Sequence, residues 1–265
     1  MKILNRRISL ERFWETLASA DESVLFLDYD GTLAPFSVDR DEAVPYPWVA
    51  EILNAVIKKG GTRLVIISGR EIGSVQKLLK LENPVEIWGC HGRQHLLGNG
   101  EMETKKVSPA AEKLLSDAQD WIEDHGLSKN MEEKSGCLAL HFRGMKARMA
   151  GIVERQATEA FEAMLPGTGM ELDRFDGGIE LRSEGVNKGV AVEKVLEDYE
   201  ETPPCAYLGD DFTDEDAFKA IKGRGLGILV REEFRPTQAD IWIRPPEELR
   251  DFLYKWKEKS RGKML

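Results

Sequence analysis

The sequence predicts an α/β protein built on a parallel sheet, with a smaller α/β unit inserted into it. Three observations predict this. Short apolar runs, Val24 to Leu27 first among them, alternate with helical patterns, as strands buried on both faces of a parallel sheet do. Near Ser108 this rhythm gives way to α-β-β-α-β-β. From Asn187 the first rhythm resumes. The expected domains are therefore a discontinuous core, 1–107 with 185–265, and an insertion, 108–184.

Taken in order, residues 9–19 read as a short amphipathic helix leading into the first buried strand. After that strand, Pro35, Pro45 and Pro47 mark an extended loop. A helix over 48–59 stops at Gly60-Gly61, a strand occupies 63–67, and a helix at 72–80 leads to a strand at 85–88. His91 and His95 stand four apart, but Gly89 and Gly92 place them on a loop after a strand and outside any zinc-helix pattern. Gly98-Asn99-Gly100 reads as a hairpin tip. In the insertion, helices at 109–125 and 147–164 alternate with strand pairs at 130–134 with 138–143 and 170–173 with 178–182. Asp176-Gly177 joins the second pair. The core then returns with a helix from Asn187 to about Tyr199, strands at 206–208, 226–230 and 241–243, and a terminal helix. The basic tail after Tyr254 reads as a solvated end.

The 265 residues suffice for a sizeable core. A net charge of −10 argues against nucleic acid or an anionic membrane as partner, and means that an anionic substrate needs locally gathered Lys and Arg. The first twenty residues hold no apolar run of signal-peptide length, and nothing approaches the roughly 20 apolar residues of a membrane span. Cys90, Cys137 and Cys205 are scattered in apolar runs without metal or disulfide spacing, so buried thiols in a reducing cytoplasm are expected. Oligomeric state is left open, and a monomer is compatible with everything above.

The chemistry gathers at strand ends. The first strand runs into Asp28 and Asp30, then into Gly31, which frees the backbone to turn. Unpaired carboxylates beside a core are costly, and two so close repel unless a cation lies between them or one holds a proton. The cation expected is hard and oxygen-seeking, Mg²⁺ first. Ser68 ends the second strand and can donate to a phosphoryl oxygen. Lys188 follows Asn187 at a helix start, where its ammonium can neutralise a transferring phosphoryl group. Asp210, Asp211 and Asp214 follow another strand end, and a cluster that acidic again calls for a cation.

At these positions the chain resembles the haloacid dehalogenase (HAD) superfamily, whose four motifs match Asp28-Tyr-Asp-Gly-Thr-Leu33, Ser68-Gly-Arg70, Lys188 and Gly209-Asp-Asp-Phe-Thr-Asp214. The resemblance implies a Rossmann-like HAD core with an inserted α/β cap between the second and third motifs. Within the superfamily the chain is similar to the trehalose-6-phosphate phosphatases. It shares Gly209–Phe218, Glu132-Glu-Lys134 with His141-Phe-Arg143, and Glu180-Leu-Arg182 shortly before Asn187-Lys188-Gly189. Ser183 departs from the pattern, standing where a proline is usual.

The family pattern implies that Asp28 is a nucleophile forming a phosphoaspartate, and that Asp30 is the acid and then the base. It implies Mg²⁺ held by Asp28, the Asp30 carbonyl and Asp210, with Asp211 and Asp214 in support, and phosphoryl oxygens held by Ser68 and Lys188. Substrate contacts are expected from Arg70 and, in the cap, from Glu132, Lys134, Arg143, Glu180 and Arg182. The expected activity is Mg²⁺-dependent hydrolysis of trehalose 6-phosphate. The alternatives are a glycosyl-3-phosphoglycerate-type phosphatase, a phosphohexomutase, or a non-enzymatic sugar-phosphate sensor or subunit of a trehalose-synthesising complex.

Overall fold

The protein is described by a computed structural model covering residues 1–37 and 42–262. The proline-marked loop falls partly, and the last three residues of the basic tail wholly, outside the described residues. The strands are β1 (Lys2–Ile3), β2 (Ser23–Leu27), β3 (Thr62–Ile67), β4 (Glu86–Gly89), β5 (Gln94–Leu96), β6 (Met102–Thr104), β7 (Met131–Lys134), β8 (Cys137–His141), β9 (Met170–Phe175), β10 (Gly178–Ser183), β11 (Cys205–Gly209), β12 (Leu226–Val230) and β13 (Ile241–Ile243). The helices are α1 (Leu10–Ser19), α2 (Val49–Lys59), α3 (Ile72–Leu79), α4 (Pro109–Asp124), α5 (Ala147–Met164), α6 (Lys188–Leu196), α7 (Glu215–Ile221) and α8 (Glu247–Lys259). They divide into two compact units, Met1–Glu103 with Asn187–Leu265, and Thr104–Val186.

In the first unit the sheet order is β1-β13-β12-β11-β2-β3-β4-β5-β6. The run from β13 to β4 is parallel, while β1 and β5 pair antiparallel at its flanks. Alternation decides which helices each strand face meets. Leu25 and Leu27 pack with the apolar stripes of α1, α2, α3 and α8, whereas Val24 and Phe26 pack with those of α6 and α7. Both faces are covered, so β2 is buried along its whole length. The chain leaves β2 towards β3 on one side and returns through β11 on the other. The carboxyl end of β2 therefore lies at the reversal of strand order, where open α/β sheets bind ligands. Local signals set the helix ends: Ser9 accepts from the Arg12 N–H, Gly60 closes α2 at φ 81°, and the Asn187 side chain accepts from Val190 N–H.

The second unit is an antiparallel sheet in the order β7-β8-β10-β9. Leu138, Leu140, Ile179, Leu181 and Met170 pack with Leu114 and Ile122 of α4 and with Val153, Ala157 and Phe161 of α5. The opposite face carries Glu132, Lys134, His141, Glu171, Asp173, Glu180 and Arg182.

Four expectations are corrected. His95 lies in β5 rather than on a loop, because its ring stacks on Trp88 at 3.7 Å and bonds Glu86 at 2.9 Å. The helix expected to reach Tyr199 ends at Leu196. The basic tail is not a free end, since α8 continues through it to Lys259 and buries Trp256 with Leu249, Phe252 and Leu253. β1 and β6 are added at the two edges of the sheet and β5 between β4 and β6, each of two or three residues and too short to show a period. Among the described residues, no helix is long and apolar enough to cross a membrane.

Candidate active site

Three carboxylates meet beyond β2 and β11, and each has a different set of partners. Asp28 follows β2, its N–H donating to Leu208 O at 2.9 Å, and its side chain is buried. Lys188, in the first turn of α6, donates to Asp28 Oδ1 at 2.6 Å and to Asp214 Oδ1 at 2.7 Å. Tyr207 of β11 donates its hydroxyl to the same Asp214 oxygen at 2.5 Å. The N–H groups of Asp210 and Asp211 donate to Asp214 Oδ2, each at 2.9 Å. Asp214 is thus saturated on both oxygens. By contrast Asp28 Oδ2 and Asp210 Oδ2 are buried and have no hydrogen-bond partner.

The ligand oxygens of Asp28, Asp210 and Asp214 lie within 4.8 Å of one another. Two orphaned carboxylate oxygens in one buried group are what a bound divalent cation requires, and an all-oxygen donor set suits Mg²⁺. The residues present therefore fit the cation expected from sequence. Gly31 makes the close approach possible: its φ is +78°, and a Cβ there would come within 2.2 Å of Asp210 Oδ2.

The charges answer to this geometry. Burial pushes Asp28 up from 3.8 to about 7, against the lowering effect of Lys188. Burial also raises Asp210 well above its ordinary value, with Asp28 and Asp214 adding to the push. For Asp214 the desolvation is outweighed by Lys188 and the donors on both oxygens, so its pKa falls. Lys188 is likewise desolvated, yet Asp214 and Asp28 hold it charged, above its ordinary value.

Asp30 and Asp211 stand beside this group with other partners. Arg70 grips Asp30 with a fork, Nε to Oδ2 and Nη2 to Oδ1, both at 2.7 Å. Its guanidinium lies 5.4 Å from the Tyr29 ring centroid. Ser68 is fully buried at the end of β3 and accepts from the Arg70 N–H at 3.1 Å, which leaves its own proton to donate. Asp211 accepts from Phe212 N–H at 2.7 Å and caps the short turn before α7.

Two residues of this site carry no sequence signal. Tyr207 sits inside an apolar strand, where a tyrosine reads as core. Arg235, in the connection from β12 to β13, is buried behind the acidic loop and donates to the carbonyls of Asp210 at 3.2 Å and Asp211 at 2.5 Å.

The remaining expected contacts belong to the second unit. Glu132, Ala139, Glu180 and Asp173 stand in register across β7, β8, β10 and β9, so Glu132, Lys134, Glu180 and Arg182 share one face. They meet one another there: Lys134 pairs with Glu180, Glu132 bonds His141 at 3.0 Å, and Arg182 bonds Glu171 at 2.8 Å. Arg143 donates to Asp176 O across the β9–β10 turn. There Gly177 has φ +86°, and a Cβ would meet Arg143 Cγ at 2.6 Å.

Comparison with known proteins adds to this. A family model described as trehalose-phosphatase matches residues 26–241. The protein named probable trehalose-phosphate phosphatase 3 of Oryza sativa subsp. japonica is 31% identical over 271 residues, covering 92% of this chain and 72% of that protein. The C-terminal domain of C. albicans trehalose-6-phosphate phosphatase superimposes with a TM-score of 0.81 at 20% identity, over 98% of this chain and 99% of that one. A haloacid dehalogenase-like hydrolase from B. subtilis shares the fold, with a TM-score of 0.62 at 12% identity over 88% of this chain and 98% of that one.

Proposed function

This chain belongs to the trehalose-phosphatase family, and on that premise we propose that it hydrolyses trehalose 6-phosphate to trehalose and phosphate through a phosphoaspartate. The observation that carries the reading is the pair of buried oxygens on Asp28 and Asp210 that no hydrogen bond satisfies, beside the Lys188 ammonium and with Arg231 3.9 Å from Asp210 Oδ2. Mg²⁺ would be held by Asp28, the Asp30 carbonyl and Asp210, with Asp211 and Asp214 in support. When bound it would neutralise these acids and the charge on the phosphoryl oxygens.

Asp28 attacks phosphorus as the bond from phosphorus to the sugar oxygen breaks. Asp30, once the Arg70 fork has opened and it carries a proton, gives that proton to the departing sugar oxygen. It then takes one from the water that attacks the phosphoaspartate, releasing phosphate and restoring the Asp28 carboxylate. Ser68 and Lys188 bind phosphoryl oxygens, since phosphoryl transfer is mostly positioning and electrostatics. The second unit, Thr104–Val186 where the sequence predicts 108–184, is assigned as a cap in which Glu132, Lys134, Arg143, Glu180 and Arg182 read sugar hydroxyls. Arg70 completes the substrate contacts from the core.

Phosphate release is to be measured on trehalose 6-phosphate, glucose 6-phosphate and glucosyl-3-phosphoglycerate, with Mg²⁺ and after exhaustive chelation. Mg²⁺-dependent release, fastest on trehalose 6-phosphate, is the expected result. Release that survives chelation would remove the cation from the mechanism, and no preference for the disaccharide would remove the substrate.

A further inference from the structure

Arg235 belongs to none of the motifs that point to the site, yet its guanidinium is spent entirely on the acidic loop and its flanks. Nε donates to Asp210 O at 3.2 Å, Nη2 to Asp211 O at 2.5 Å, and Nη1 to Pro236 O at 3.0 Å and to the Glu215 carboxylate. The other Glu215 oxygen accepts from Gln238 N–H at 2.7 Å, which ties the segment after β12 to the start of α7. Phe212 covers the guanidinium, its ring centroid 4.8 Å away. The N–H groups of Asp210 and Asp211 meanwhile point to Asp214 Oδ2. The two residues are thus clamped from both sides, by their carbonyls and by their amides. That fixes where Asp210 Oδ2, which accepts no hydrogen bond and lies 3.9 Å from Arg231 Nη1, must be.

We infer that Arg235 is a positioning residue for the cation site, holding the loop 209–214 in its cation-ready form before the metal arrives. The inference rests on the Mg²⁺ reading above. A lysine cannot replace it, because one ammonium does not reproduce a planar fork spanning two carbonyls. The direction of the effect separates this role from simple charge. Electrostatics alone predicts that removing a cation beside a Mg²⁺ site tightens metal binding. Positioning predicts the opposite, because the loop must then be reordered on binding.

The test is calorimetric titration of Mg²⁺ into the metal-free wild type, Arg235→Lys and Arg235→Gln, with melting curves taken with and without the metal. Both variants should bind Mg²⁺ about ten- to a hundredfold more weakly, as losses behind metal ligands commonly do. Raising Mg²⁺ in proportion should restore turnover, with KM for the sugar phosphate unchanged. Unchanged or tighter Mg²⁺ binding in the folded variants would overturn the inference. So would a kcat that stays low at saturating metal with wild-type affinity. Should Arg235→Gln fail to fold, Arg235→Lys decides the matter. A wild type that binds no Mg²⁺ would instead overturn the cation reading itself, and this inference with it.

Discussion

The two units use the same residue types to opposite effect. Beyond β2 and β11, Lys188 bonds two of three carboxylates, Arg231 stands 3.9 Å from the third, and two carboxylate oxygens accept no hydrogen bond. On the polar face of the second sheet, charges pair off: Lys134 with Glu180 across β8, and, on neighbouring strands, His141 with Glu132 and Arg182 with Glu171 and Asp173. A buried cluster whose carboxylate oxygens lack hydrogen bonds demands a further ion, while one whose carboxylates each find a partner is complete as a scaffold. The first arrangement therefore points to chemistry. The second can serve recognition only where a sugar hydroxyl joins or replaces a bond already made.

The strongest way to break this contrast is at the nucleophile. Asp28→Asn should reduce turnover of trehalose 6-phosphate by at least about a thousandfold, because an amide cannot form the phosphoaspartate. It should melt no lower than wild type, since it removes a buried charge whose ionisation is already unfavourable. Both assays on one preparation test this, and retained turnover would sink the mechanism.

The second unit is predicted to behave differently. Glu180→Gln and Lys134→Ala should each cost about 1.5–3 kcal/mol on trehalose 6-phosphate, roughly ten- to a hundredfold in kcat/KM. p-Nitrophenyl phosphate, which presents no sugar hydroxyl, should be spared. Equal losses on both substrates would return these residues to the fold.

A smaller effect sharpens the electrostatic half of the comparison. The folded pKa of Asp28 is raised, so its contribution to folding is present below its ordinary value of 3.8 and is lost as pH rises towards about 7. Mg²⁺ competes with that proton, so its stabilisation should grow over the same window. Melting temperatures from pH 4 to 8, with chelator and with Mg²⁺, should therefore diverge as pH rises. Curves running parallel would mean that Asp28 takes no part in binding the metal. The smallest effect is expected at Arg174–Glu154, on the other face of β9, where Arg174 is 63% exposed. Arg174→Ala should change neither substrate's turnover and should shift stability by less than about 1 kcal/mol.

Much of the first unit was legible because its site residues stand where a strand pattern stops. Asp28, Ser68 and Asp210 each end a run of apolar residues, and Lys188 follows a capping Asn187. The partners that hold them were not legible. Arg70 offered no sign that its fork closes on Asp30, because that contact spans forty positions and depends on the turn at Gly31. Tyr207 has the same periodicity as its apolar neighbours, and Arg235 lies in a connection without any period. His95 was misplaced for a related reason: stacking on Trp88 and the bond to Glu86 fix β5, and neither follows from local propensity.

The place of β2 in the sheet also bears on how the chain is made. Its neighbour β3 follows within the first 67 residues, but β11 starts 182 positions after it, counting from Ser23 to Cys205. At about 5–20 residues per second, a ribosome leaves that edge unpaired for roughly 9–36 seconds. Throughout that time a strand with four apolar residues in five presents open backbone donors and acceptors, and Asp28 awaits a lysine 160 residues further on. An N-terminal fragment ending before Asn187 should accordingly behave as an aggregation-prone client of chaperones, and the catalytic centre can exist only once nearly the whole chain has been synthesised.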